Sequence, residues 1–285
     1  MDIWPNFFIV GAPRSGTTSL YEYLKSVKDI YMSSIKEPNY FAVSINDEQK
    51  LTKPIRSKID YLQLFTNSKN FKAVGEASPT YLWDPKAPQL IHECVPNAKI
   101  IMILRDPIKR SFSHYLNGIG LGYENMSYID SMKKASKNKN DYSGRIYTTS
   151  FYTESVLRYQ EIFDKKNIKI LIFEEFFKNI EINFEGILNF LNVSGKLNMI
   201  NFKSHNEFSV PRGKFSQMLI NNKKLRSIVR NFIPAEKGNM IRSVMTKNIK
   251  KPKMTSDEFE FAKNIYFNDV RNLESLLGRS LPWSI

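Results

Sequence analysis

The sequence is poor in the features that mark disulfide-stabilised, zinc-binding or membrane-spanning proteins. Cys94 is the only cysteine among 285 residues, so no disulfide can form within the chain, and no Cys/His spacing resembles a zinc site. No apolar run approaches the roughly 18 residues that a membrane span requires. The first five residues lack the basic start and the cleavage site of a signal peptide. If the chain is complete, we expect a soluble, cytoplasmic protein.

Acidic residues are also scarce relative to basic ones. The chain has 42 Lys and Arg against 28 Asp and Glu, which gives a formal net charge of +14. Such a balance favours anionic partners, namely nucleotides, acidic glycans, nucleic acids or membrane surfaces, and does not choose among them. A solvated, lysine-rich surface explains much of the excess equally well.

Short apolar segments alternate with helical patterns along the chain. Buried strands are predicted at residues 7–10, 73–77, 98–104 and 168–173, because these runs are almost wholly apolar and end at turn residues. Strands that alternate with helices predict an α/β fold with a central, mainly parallel sheet flanked by helices. Residues 117–149 are rich in Gly, Ser, Asn and Lys, which predicts a mobile insertion with at most one weak helix. We find no domain boundary and predict one domain over 1–285.

The first strand leads into a predicted anion-binding loop. The strand ends at Gly11, and helix-compatible sequence begins near Ser15. The backbone N–H groups of such a loop and the dipole of the following helix together bind anions. Four residues separate Gly11 from Gly16, which is the spacing of a phosphate-binding P-loop. However, Thr17 replaces the Lys that a nucleotide kinase or ATPase requires after the second Gly.

The cation of this loop lies inside it, at Arg14. The string at residues 13–19, PRSGTTS, resembles the 5′-phosphosulfate loop of sulfotransferases that use PAPS (3′-phosphoadenosine 5′-phosphosulfate). The resemblance implies a three-layer, P-loop-like fold. The residues implied as nucleotide contacts in this loop are Arg14, Ser15, Gly16, Thr17 and Thr18.

A second motif follows the predicted strand at 98–104. Arg105 stands at the carboxyl end of that strand, where ligands bind in open α/β sheets, and Ser113 lies about two turns along the next helix. A guanidinium and a hydroxyl can together hold one phosphate. The string at 105–115 resembles the 3′-phosphate loop of the same family, and the two loops come in the family's order. The resemblance therefore implies Arg105 and Ser113 as ligands of the 3′-phosphate.

Two further segments extend the resemblance. Residues 206–213 are similar to the late loop that closes over the nucleotide. The contacts implied there are Arg212 and Gly213. Residues 36–41, KEPNYF, resemble the segment of the glycosaminoglycan branch that carries the catalytic carboxylate. This implies Glu37 as the general base that takes the proton from an acceptor hydroxyl. His114 is the alternative base.

Two positions depart from the family pattern. Arg14 stands where the first loop often carries Lys. Because arginine is effectively never deprotonated, Arg14 can stabilise charge on the leaving phosphate but cannot readily donate a proton. Ala77 stands where glycosaminoglycan members have a Lys after the residue that matches Glu76. The loss of that substrate-facing cation weakens the case for a heparan-like acceptor.

We therefore predict an enzyme with Arg14 and Glu37 as catalytic residues. It transfers the sulfuryl group of PAPS to a hydroxyl of a small-molecule or carbohydrate acceptor and releases PAP. We expect no metal, since the chemistry needs only positioning and charge stabilisation. We also expect no nucleic-acid or membrane partner. Two alternatives stay open: a P-loop nucleotide-dependent kinase, which would need a Lys at Thr17, and a non-catalytic polyanion- or nucleic-acid-binding module, which the net charge suggests. The module gives no reason for two phosphate loops at two strand ends.

Overall fold

The chain forms two compact units. A computed structural model describes residues 2–44, 54–137, 142–194, 209–211, 246–248 and 251–285. The first unit comprises Met1–Arg110, Thr149–His205 and Ile265–Ile285, and the second comprises Ser111–Thr148 and Asn206–Asn264. The prediction that residues 1–285 are a single domain stays a prediction.

The first unit is built on a five-stranded sheet. Its strands in chain order are β1 (Phe7–Gly11), β2 (Ile30–Met32), β3 (Ala73–Ala77), β4 (Lys99–Leu104) and β5 (Ile168–Ile172). They lie in the order β2-β3-β1-β4-β5, and every neighbouring pair is parallel. The predicted parallel sheet is confirmed. Strand β2 was not predicted, because three residues at a sheet edge are too few to show a pattern.

Helices connect the strands, as parallel pairing requires. In chain order they are α1 (Thr17–Lys25), α2 (Lys58–Gln63), α3 (Ala87–Cys94), α4 (Pro107–Gly120), α5 (Tyr128–Lys137), α6 (Tyr142–Thr148), α7 (Thr153–Ile162), α8 (Phe173–Lys178), α9 (Ile180–Phe190) and α10 (Ser256–Leu277). Short 3-10 turns lie at Thr66–Ser68, Pro79–Leu82 and Lys165–Asn167. None of the helices in the described ranges is long and apolar enough to cross a membrane.

The sheet is covered on both faces, which gives three layers. Because side chains alternate between the faces of a strand, Phe8 and Val10 of β1 pack into one apolar cluster with residues of α3, α7 and α10. Phe7 and Ile9 pack into the other cluster, with residues of α1 and α9. All five residues of β1 are buried. The α/β, P-loop-like, three-layer fold is therefore as predicted.

The second unit contains helices where the sequence predicted a mobile insertion. Helix α4 runs on to Gly120, and α5 and α6 follow, so the prediction of at most one weak helix over 117–149 is wrong. The polar composition concealed a short apolar stripe, since Tyr128, Met132 and Ala135 of α5 are all buried at helical spacing. The mobility of this segment stays a prediction. Strands β6 (Ser209–Pro211) and β7 (Thr246–Asn248) pair antiparallel in the same unit.

Candidate active site

The first predicted loop joins β1 to α1. The backbone is left-handed at Arg14, with φ 67°, and at Gly16, with φ 87°; these two residues turn the chain from the strand into the helix. Gly16 suits this conformation because it has no side chain to strain. Gly11 is required for a different reason, since a Cβ atom there would lie 2.5 Å from the Cβ of Leu82. The two glycines that define the motif therefore shape the loop.

The loop presents unused hydrogen-bonding groups at the start of α1. Gly16 is the N-cap residue, and no side chain among the described residues caps the helix. The N–H groups of its first turn can therefore bind a ligand. Ser15 is fully buried, and within the described part of the chain its Oγ has no hydrogen-bond partner. Because a buried polar group is normally satisfied, this hydroxyl fits a loop that an anionic group completes.

Arg105 lies beside this loop, at the carboxyl end of the strand that neighbours β1. It follows the last residue of β4, and its Nη1 donates a hydrogen bond to the carbonyl oxygen of Arg14 at 3.0 Å. Its guanidinium carbon lies 4.6 Å from the centroid of the Phe173 ring. Tyr152 holds the backbone, donating from its hydroxyl to the Arg105 carbonyl at 2.9 Å. The two motifs are thus joined by a direct hydrogen bond.

The Arg105 guanidinium also has hydrogen-bonding capacity left. Its Nε is buried and has no partner among the described residues. Burial lowers the pKa of Arg105, yet an arginine stays cationic at neutral pH. A half-buried cation with an unused N–H favours an anionic ligand, which would supply both the charge and the acceptor.

The remaining predicted residues of the second motif lie on α4. Asp106 caps this helix, since its Oδ1 accepts hydrogen bonds from the N–H groups of Ile108 at 3.0 Å and Lys109 at 3.3 Å. Ser113 and His114 follow on the helix and are both buried. They belong to the second unit, so the shared grip of Arg105 and Ser113 on one phosphate stays a prediction. The role of His114 as the alternative base is likewise untested.

Glu37 reaches the sheet edge from which the first loop departs. The segment after β2 continues along β3, where the N–H of Ser33 donates to Gly75 O at 2.8 Å and that of Glu37 to Ala77 O at 3.0 Å. Because Ala77 ends β3 and β3 neighbours β1, Glu37 stands at the carboxyl edge of the sheet, where ligands bind in this class of fold. Its carboxylate lies 2.6 Å from Lys36 Nζ, and its side chain is 27% exposed. Glu37 therefore presents a partly exposed, ion-paired carboxylate at this edge of the sheet.

Sequence reasoning missed the environment of Glu76. This residue is fully buried in β3, and its carboxylate accepts hydrogen bonds from three hydroxyls, those of Tyr61, Ser78 and Tyr81. Burial raises its pKa to about 7. The signal that could have found it is an acidic residue within a strand that is otherwise wholly apolar.

Two of the predicted nucleotide contacts are not among the residues that the structure describes. Arg212 and Gly213 lie outside the described residues, directly after β6. Within the ranges that the structure describes, no group of three or more His, Cys, Asp or Glu side chains could hold a metal ion.

Comparison with known proteins reveals extended similarity. A family model for the sulfotransferase domain matches residues 5–274. Human carbohydrate sulfotransferase 15 is 27% identical over 251 residues, which cover 66% of this chain and 44% of that protein. The human bifunctional heparan sulfate N-deacetylase/N-sulfotransferase 3 is 23% identical over 300 residues, 99% of this chain and 32% of that protein. The chain thus spans less than half the length of these curated relatives.

A solved structure also resembles the fold. The crystal structure of a sulfotransferase from Alicyclobacillus acidocaldarius is 27% identical and superposes with a TM-score of 0.73, covering 98% of both chains.

Proposed function

The chain belongs to the sulfotransferase domain family, and we propose that it transfers the sulfuryl group of PAPS to a hydroxyl of a small-molecule or carbohydrate acceptor. The products are a sulfate ester and PAP. The observation that carries the proposal is the hydrogen bond, at 3.0 Å, between Arg105 and the Arg14 carbonyl, which joins the two loops implied for the 5′ and 3′ ends of one nucleotide. A kinase or a general polyanion-binding module does not require this junction.

The two loops divide the nucleotide between them. The 5′-phosphosulfate would lie on the N-terminus of α1, where free N–H groups and the helix dipole favour an anion. The residues assigned to it are Arg14, Ser15, Gly16, Thr17 and Thr18. The 3′-phosphate would bind the unused Nε of Arg105, and the family resemblance assigns the Ser113 hydroxyl to the same phosphate. Arg212 and Gly213 are proposed to close over the nucleotide.

The transfer itself exchanges one S–O bond for another. The acceptor oxygen attacks sulfur in line as the bond from sulfur to the oxygen of the 5′-phosphate breaks, and the acceptor proton passes to Glu37. Negative charge then collects on the leaving phosphate. Arg14 and the loop N–H groups stabilise that charge, and preorganised donors of this kind act most strongly in the transition state. Arg14 works by charge, because a guanidinium does not readily give up its proton.

The acceptor is proposed from the relatives and from one position in this chain. Human carbohydrate sulfotransferase 15 supports a carbohydrate acceptor. Ala77, in place of the Lys found in glycosaminoglycan members, argues against a heparan-like one. We also propose that the protein acts in the cytoplasm without a nucleic-acid or membrane partner; cell fractionation and vesicle co-sedimentation test these two points.

A thermal-shift comparison tests the proposal against its two alternatives. PAP, ATP with magnesium, and a short DNA duplex are each added to the full chain. Ligands that bind the native state raise its melting temperature, and we expect PAP to give the largest rise at equal concentration. A larger rise with ATP and magnesium would favour the kinase, and a rise with DNA alone would favour the binding module.

A further inference from the structure

Glu76 is a buried acid that the proposed transfer does not use. It pairs with Phe8 in the register of β3 against β1, in the interior of the sheet. The hydroxyls of Tyr61 and Tyr81 donate to its Oε1 at 2.7 and 2.8 Å, and that of Ser78 donates to its Oε2 at 2.7 Å. A buried carboxylate needs such donors, so the protons of all three hydroxyls point towards Glu76.

Two of these hydroxyls also face the segment that carries Glu37. The N–H of Asn39 donates to Ser78 Oγ at 3.1 Å, and the N–H of Phe41 donates to the Tyr81 hydroxyl at 3.3 Å. A hydroxyl has one proton and two lone pairs. Because each proton points to Glu76, a lone pair is what each oxygen offers to the backbone of this segment.

Residues 37–41, here called the base turn, depend on such outside bonds. Glu37 has φ 61° and Asn39 has φ 53°, which is the left-handed region that side chains disfavour. Asn39 Nδ2 donates to the Glu37 carbonyl at 2.9 Å, and Asn39 Oδ1 accepts from the Thr80 hydroxyl. A chain of hydrogen bonds therefore runs from the Glu76 carboxylate through Ser78 and Asn39 to the backbone carbonyl of Glu37.

We propose that Glu76 is a positioning residue, which through Ser78 and Tyr81 holds the base turn so that the Glu37 carboxylate meets the acceptor hydroxyl. The inference rests on the proposed function, in which Glu37 is the base. Glu76 touches neither acceptor nor nucleotide in this account. Its carboxylate fixes the direction of two hydroxyls, and those hydroxyls fix the turn.

Tyr61 and Tyr81 provide a matched pair of variants. Both are fully buried and both donate to the same oxygen of Glu76, so Tyr61→Phe and Tyr81→Phe remove the same group from the same carboxylate. Of these two tyrosine hydroxyls, that of Tyr81 accepts a hydrogen bond from the base turn, whereas the bond described for Tyr61 goes to Glu76. Ser78→Ala removes the second link, through Asn39, and serves if Tyr81→Phe fails to fold.

The first measurement is amide hydrogen exchange in a peptide that covers residues 36–42, made without PAPS or acceptor. Burial raises the pKa of Glu76 to about 7, so the experiment is run at about pH 8, where the carboxylate is ionised. We expect faster exchange in Tyr81→Phe and Ser78→Ala and wild-type exchange in Tyr61→Phe. Equal exchange in all three variants would overturn the proposal.

The second measurement separates kcat from KM. A misplaced base impairs the chemical step and leaves nucleotide binding intact, so kcat should fall on the order of tenfold or more in Tyr81→Phe and Ser78→Ala. The KM for PAPS should stay near the wild-type value, and Tyr61→Phe should keep its kcat. A normal kcat in Tyr81→Phe, despite faster exchange, would also overturn the proposal. Failure of the wild-type chain to transfer the sulfuryl group would refute the proposed function instead, and the exchange data would still report on the turn.

Discussion

Replacement of Arg105 tests the union of the two loops quantitatively. Arg105→Ala removes the hydrogen bond to the Arg14 carbonyl, the stacking on Phe173 and the proposed contact with the 3′-phosphate. Only the last of these depends on whether the ligand has a 3′-phosphate. A hydrogen bond to a charged group contributes about 1.5–3 kcal/mol, which corresponds to roughly a 10- to 150-fold change in Kd.

The assay is isothermal titration calorimetry with PAP and with AMP, which lacks the 3′-phosphate. The wild-type protein should prefer PAP by about 10- to 150-fold, and Arg105→Ala should lose most of that preference. The affinity for AMP should fall less in Arg105→Ala than the affinity for PAP, because AMP binding loses only the support that Arg105 gives to the 5′ loop. The preference of Arg105→Lys for PAP over AMP should lie between those of the wild type and Arg105→Ala, since lysine keeps the charge but not the planar guanidinium.

The control replaces an exposed arginine of α10. Arg271 is exposed and pairs with Glu274 at 2.8 Å on α10, so Arg271→Ala should leave both affinities unchanged. The reasoning is refuted if wild-type protein binds PAP and AMP equally, or if Arg105→Ala weakens both ligands by the same factor.

Three further predictions concern the chemical step and pH. Arg14→Ala should lower turnover by about 10²–10³-fold and PAP affinity much less, while Arg14→Lys should keep partial activity. Normal turnover in Arg14→Ala would show that Arg14 does not stabilise the leaving phosphate. Glu37→Gln should leave PAP affinity intact and lower kcat by about 10²-fold or more, whereas His114→Ala should lower kcat only slightly. If kcat is lost in His114→Ala and kept in Glu37→Gln, His114 is the base. Because burial raises the pKa of Glu76 from 4.5 to about 7, the native state holds the extra proton between these values, so urea-unfolding stability should fall as pH rises from 4.5 through 7. Glu76→Gln should lack that component, and an identical pH profile would show that Glu76 does not titrate there.

The sheet and the first loop were predictable because their causes are local. A strand buried on both faces must be apolar throughout, which made β1 and β4 visible. The glycines of the first loop are fixed by a left-handed φ at Gly16 and by the approach of Leu82 to Gly11. The capping box of α10 also has a local cause, since Thr255 and Glu258 are three residues apart and form its reciprocal bonds at 2.8 and 3.3 Å.

The missed features depend on residues distant in sequence. Tyr61 lies 15 positions from Glu76, and nothing in either segment shows that the fold brings them together. The second links of Ser78 and Tyr81, to residues 39 and 41, span about forty positions. Helix α5 was missed for a different reason, because packing of its few apolar side chains outweighed a polar composition.

The fate of the sulfuryl group decides whether this chain is a PAPS-dependent sulfotransferase. PAPS radiolabelled at sulfur is incubated with the wild-type chain and a panel of hydroxyl-bearing carbohydrates and small metabolites, and the products are separated by chromatography. We predict a labelled sulfate ester that requires an acceptor and forms together with an equal amount of PAP. A label that stays on PAPS, or appears only as inorganic sulfate, would contradict the account.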